Sequence, residues 1–82
     1  MPREIKSAEE IQAEVSRLIH EGQLVKDDGA EIGVPRPMPY ANGVREPNGS
    51  NWYMEVFTNS AGYEGWVKHV YYKVQSQWDL AS

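Results

Sequence analysis

Seven apolar or aromatic residues in the last third of the chain (Tyr63, Trp66, Val67, Val70, Tyr71, Val74 and Trp78) step by 3, 1, 3, 1, 3 and 4. Only a 3.6-residue repeat brings such a series onto one side of the backbone. Val67, Tyr71, Tyr72 and Val74 have strand propensity, but periodicity outweighs it here. Burying each large side chain is worth about 1.5–3 kcal/mol, whereas Gly62 and Gly65 at the entry cost up to about 1 kcal/mol each. Residues 61–78 are therefore predicted to be helical. Asn59 or Ser60 is expected to cap the start, with Glu64 adding favourable charge to the first turn. Lys68, Lys73, Gln75 and Gln77 fall off the stripe.

A second helix is written near the beginning. Ser7 precedes Glu10 by three residues, the spacing of a capping box. Ala8, Ile11, Val15, Leu18 and Ile19 then form one apolar stripe, while Gln12, Glu14, Arg17 and Glu21 face away. Residues 7–21 are predicted as helix, with Gly22 ending it in left-handed geometry. Between the two helices the pattern is extended. Asp27-Asp28-Gly29 reads as a turn, and Ala30, Ile32 and Val34 alternate at strand period up to Pro35. A strand at 23–26 pairing with 30–34 is a weaker reading. Residues 51–57 form a strand by composition, with Trp52, Met54 and Val56 toward the core and Tyr53, Glu55 and Phe57 on the other face.

The order expected is α-β-β-α in one α+β domain spanning 1–82. A small antiparallel sheet of two or three strands would carry the N-terminal and C-terminal helices on one face. Residues 1–6 are expected to be a flexible N-terminus. Residues 35–50, rich in Pro, Gly and Asn, form a long loop, and loops of that length are usually either functional or disordered. Within it, Pro35, Pro37 and Pro39 favour an extended, polyproline-like backbone that could dock in an aromatic groove. A stiff crossover over the sheet is the plainer and preferred reading.

Composition narrows the function. The 82 residues contain no Cys, so neither a disulfide framework nor thiolate chemistry is available. Twelve acidic against eight basic side chains give a net charge of −4, which argues against phosphate-driven nucleic-acid binding. No apolar run reaches the roughly 18–20 residues of a membrane span, and no signal-peptide-like segment opens the chain. A cytoplasmic protein is expected. No nucleotide-binding glycine motif or nucleophile elbow occurs.

The histidines are weak candidates. Neither His20 nor His69 has a second ligand at helical spacing, and a metal site needs three or four convergent donors. No catalytic, cofactor-binding or metal residue is therefore assigned, and an enzyme is the less favoured class. The preferred reading is a non-enzymatic protein–protein interaction module with an unidentified protein partner, a homodimer being one option. Its contacts would come from Arg36, Tyr40 and Arg45 of the loop, with Tyr53 and Tyr72, since Tyr and Arg are favoured at interface hot spots. The alternative is a small-ligand binder or enzyme using His69 with Glu64 or Tyr72 near the helix–sheet junction.

The capped helix from Ala8 to Glu21, the Val34-Pro35-x-Pro37 segment, Asn51-Trp52 opening a strand and the ending Val74-Gln75-x-x-Trp78-Asp79-Leu80 together carry a resemblance. Over nearly its full length the chain resembles a group of small uncharacterised proteobacterial proteins, of the kind found in Burkholderia and its relatives. The resemblance implies a bacterial cytosolic origin and the two-helix, two-strand order. It implies no catalytic residues.

Overall fold

The computed structural model describes residues 4–41, 45, 47 and 49–81. Among these residues seven elements follow one another: β1 (Glu4–Lys6), α1 (Ala8–His20), α2 (Gln23–Asp28), β2 (Met38–Pro39), β3 (Trp52–Tyr53), α3 (Glu64–Gln77) and β4 (Trp78–Leu80). The protein is mixed α+β, but this order replaces the simpler α-β-β-α expectation.

α1 forms as its sequence dictates. The Ser7 hydroxyl accepts from the Glu10 N–H at 3.2 Å, and the Glu10 carboxylate accepts from the Ser7 N–H at 3.1 Å. Two of the donors that every helix start leaves unpaired are thereby satisfied. Ile11, Val15 and Ile19 are fully buried, while Arg17 on the outer face reaches the carboxylates of Glu14 and Glu21.

Gly22 does not close α1 in left-handed geometry. Its φ of −62° is extended, and it serves instead as the N-cap of α2. The stretch read as extended plus a turn is this short helix. Gly29, at φ +63°, ends it: its N–H reaches the Lys26 carbonyl and the Ala30 N–H the Val25 carbonyl. That is the Schellman pattern, which needs a residue tolerant of the left-handed region. Six residues are too few for helical periodicity to declare itself, so Asp27-Asp28-Gly29 resembled a turn.

The extended stretch after α2 keeps the expected alternation. Ile32 is buried, with Ala30 and Val34 packed partly against the core. Its ladder is a single bridge in which Gly33 and Thr58 exchange both backbone bonds at 2.9 and 3.0 Å.

Among the described residues the strands form two separate pairs rather than a single antiparallel sheet. β2 and β3 pair antiparallel, with Met38 opposite Tyr53 and Pro39 opposite Trp52. β1 and β4 pair parallel, with Glu4 opposite Trp78 and Lys6 opposite Leu80. Residues 4–6 are thus a strand rather than part of a flexible start. Trp78 leaves the helical stripe and opens β4. Rather than sharing one sheet face, α1 and α3 pack chiefly on each other.

The strand expected over 51–57 is only Trp52–Tyr53. Pro37 and Pro39 have no N–H to donate to a longer ladder, and the Met54 N–H goes to the Tyr71 hydroxyl at 3.1 Å. Trp52 and Met54 are buried as expected, but Val56 is 72% exposed, because alternation lapses where the ladder stops. Phe57 packs against Tyr71 instead, with ring centroids 6.0 Å apart.

A polar network crosses the core. Gln75, read as off the stripe, is fully buried, and its Nε2 donates to the Trp52 carbonyl at 2.7 Å and the Tyr71 hydroxyl at 3.1 Å. Ser50 is also buried, its Oγ donating to the Trp52 carbonyl and accepting from the Trp52 N–H. The Trp52 indole donates to the Trp78 carbonyl at 2.9 Å. Asn51 holds β4 from the side, its amide bonding both the N–H and the C=O of Leu80 at 2.9 and 3.1 Å.

α3 begins at Glu64, so Asn59 and Ser60 are not its caps. Tyr63 takes the N-cap position without a side-chain bond to the helix. Asn59 instead adopts φ +58° and reaches the Glu31 carbonyl.

Candidate functional site

The residues expected to form a contact surface are largely engaged within the chain. Arg36 pairs with Glu9 of α1 at 2.9 Å. The Glu9 carboxyl is held below its ordinary range, first by its own backbone N–H and then by that guanidinium. Arg45 reaches the Gly49 carbonyl and the Asp79 carboxylate, the latter at 3.3 Å. Tyr40 packs on Tyr53 with ring centroids 4.8 Å apart, across the β2–β3 pair. Tyr72 is exposed on α3 beside Tyr71. Pro37 is buried, so the Pro-rich segment lies against the body of the protein, and Val34 just before it accepts from the Gln12 side chain at 2.8 Å. Positions 42–44, 46 and 48 of the long loop lie outside the described residues.

The histidines have separate settings. The His20 Nδ1 lies 2.7 Å from the Ser16 carbonyl, and its Nε2 accepts from the Ile32 N–H at 3.1 Å. Those two contacts fix one neutral tautomer, with the proton on Nδ1. His20 thereby ties α1 to the extended stretch around Ile32. His69 stacks on the Trp66 indole at 5.5 Å. Glu64, one of its suggested partners, accepts instead from the Gly62 N–H through both carboxylate oxygens at 2.9 Å. Among the described residues, no group of three or more His, Asp and Glu side chains is placed to hold a metal ion. No helix of the described residues is long and apolar enough to cross a membrane.

The concave feature of most chemical interest lies elsewhere, between α2 and the start of α3. It is a half-open groove of about 480 Å³, with Leu24, Val25, Tyr63 and Trp66 as its apolar walls. A volume of this order lies within the roughly 300–1,000 Å³ of binding clefts. Leu24 is 69% and Trp66 38% exposed, so two large apolar side chains face solvent in one place.

Trp66 is held firmly. Its indole N–H donates at 2.9 Å to the Ile19 carbonyl, which also accepts from the Gly22 N–H at 3.1 Å at the end of α1. The indole edge lies directly over Gly22, where a Cβ would come within 2.7 Å of Trp66 Cε2. Glycine at 22 is thus a matter of space. At the N-cap of α3 the Tyr63 hydroxyl reaches across to donate to the Asp28 carboxylate of α2, which pushes the phenol above its ordinary value of 10.0. Gly65 is different. It has ordinary helical geometry, and a Cβ there would meet nothing within 4 Å. Its absence of a side chain leaves the groove open.

Sequence reasoning missed this site because α2 was not recognised. The available signal was Leu24-Val25 bracketed by Gly22 and Gly29, both at helix-boundary positions. No protein-family model, curated protein or solved structure matches the chain.

Proposed function

We propose that the protein is a non-enzymatic interaction module whose contact site is the groove between α2 and α3. The observation that carries this reading is the joint exposure of Leu24 and Trp66 on the walls of one apolar concavity. Contiguous exposed apolar surface on a small protein marks interaction sites. Trp66 has the character of a binding hot spot: a large aromatic, already ordered by its bond to Ile19 and its stacking on His69. Ordering before contact lowers the entropic cost of association. The groove is preferred over the loop surface because Arg36, Tyr40 and Arg45 already have partners within the chain.

The test compares three immobilised proteins in capture from the native host's lysate: the wild type, Leu24→Ser, and the triple replacement of Arg36, Tyr40 and Arg45 by Ala. A partner held by the wild type and the triple variant but lost by Leu24→Ser supports the groove. Retention by Leu24→Ser with loss by the triple variant moves the contact site to the loop.

A further inference from the structure

The charge around the groove is one-sided. Among the described residues, Glu21 is the only charged one lining it. Three further carboxylates bond directly to lining residues: Asp27 to the Gln23 side chain at 2.7 Å, Asp28 to the Tyr63 hydroxyl, and Glu64 to the Gly62 N–H. The neighbouring guanidinium, Arg17, is already shared between Glu14 and Glu21. Lys26 of α2 and Lys68 of α3 are exposed and, like these three carboxylates, do not line the groove, but among the described residues their side chains bond to no lining residue. An apolar floor with an acidic rim is complementary to an apolar anchor flanked by cations.

Gly65 gives a second, independent indication. Glycine in a helix costs up to about 1 kcal/mol relative to alanine, and neither φ nor packing within the chain requires it here. A glycine without an internal role, on the wall of an apolar groove, suits close approach by another molecule.

We infer that the groove takes a basic segment of a partner protein, inserting one or two large apolar side chains between Leu24 and Trp66 with Lys or Arg against the acidic rim. This rests on the interaction-module reading and adds the chemistry of the partner.

The experiment uses the full chain and three short synthetic peptides: an amphipathic Leu/Lys peptide, its Leu/Glu counterpart with the same apolar pattern, and a Ser/Lys version without the apolar face. Binding is followed by NMR at the amides of Gly22, Leu24 and Gly65 and at the Trp66 indole N–H. The Leu/Lys peptide is expected to shift these signals and to bind at least about tenfold more tightly than either control. Its affinity should fall several-fold between roughly 0.05 and 0.3 M salt, as expected for exposed charges. Gly65→Leu, which fills the groove, should weaken binding about tenfold. Leu24→Ser, at an exposed position, provides the same test should Gly65→Leu fail to fold. Asp27→Lys, beside the lining residue Gln23, should weaken binding more than Glu55→Lys, an equal charge change at a position outside the acidic rim.

Equal binding of the Leu/Lys and Leu/Glu peptides, or equal effects of Asp27→Lys and Glu55→Lys, would overturn the charge inference while leaving the groove as the contact site. Shifts confined to other residues, or undiminished binding by both Gly65→Leu and Leu24→Ser, would remove the groove reading itself.

Discussion

Replacing Tyr71 by Phe isolates a single oxygen at the centre of the molecule. The ring would keep its packing on Trp52 and Phe57, at centroid distances of 5.8 and 6.0 Å. The hydroxyl, however, accepts from both the Met54 N–H and the Gln75 Nε2. Gln75 retains its bond to the Trp52 carbonyl, but the Met54 N–H loses the acceptor that takes the place of a strand ladder. Leaving a buried donor unsatisfied costs about 1–3 kcal/mol. A domain of 82 residues has roughly 4–12 kcal/mol in total, so this one atom accounts for a substantial share of it. At about 4–8 °C per kcal/mol for a domain of this size, the thermal midpoint should fall by roughly 8–16 °C for a loss near 2 kcal/mol. Urea unfolding followed by tryptophan emission measures the change, with an unaltered m-value showing that the same cooperative unit melts. In a Gln75→Leu background the cost should shrink by about 0.5 kcal/mol or more, because the two side chains are in contact. A loss below about 0.5 kcal/mol, or complete additivity with Gln75→Leu, would refute the network as described.

Three further outcomes are expected. Gly22→Ala should cost about 1–3 kcal/mol by overpacking, with a red-shifted emission as Trp66 leaves the Ile19 carbonyl; an unchanged spectrum and midpoint would show that the indole does not depend on this close approach. Asn51→Leu removes both bonds to Leu80, so hydrogen exchange at the Leu80 amide should accelerate well beyond that at Val70 in the helical core. The Glu10 carboxyl is held below its ordinary value of 4.5, first by the Ser7 N–H and then by the Ser7 hydroxyl. A carboxyl depressed in the folded state stabilises above that value and loses the contribution as pH falls through its folded pKa. Stability should therefore decline on acidification below about pH 4.5, and Glu10→Gln should flatten that decline; an unaltered pH profile would count against the capping box.

What was legible in the sequence was local or strictly periodic. The Ser7–Glu10 box needs only three residues of context, and Ile11, Val15, Ile19, Val67, Val70 and Val74 announce their burial by spacing alone. Trp52 and Met54 were placed correctly, whereas Val56 was not, because the strand supporting the alternation ends at Tyr53. Gln75 was misplaced because its polarity hid a position that the network makes fully internal. The β1–β4 pairing joins opposite ends of the chain, and no local pattern encodes a register between Glu4 and Trp78. The groove combines both difficulties: it needs a helix too short to show a period, packed beside the start of another far along the chain.

The amide of Asn51 has a protective consequence. In a parallel pair, successive residues direct their backbone groups to alternate sides. The Ala81 N–H bonds the Lys6 carbonyl, so the Leu80 groups point away from β1. They would otherwise offer a template for a foreign strand, the usual starting point of edge-to-edge aggregation. By imitating a peptide unit, one side chain seals that flank of β4 without the length of an extra strand. A chain this short thereby shields its closing strand from self-association.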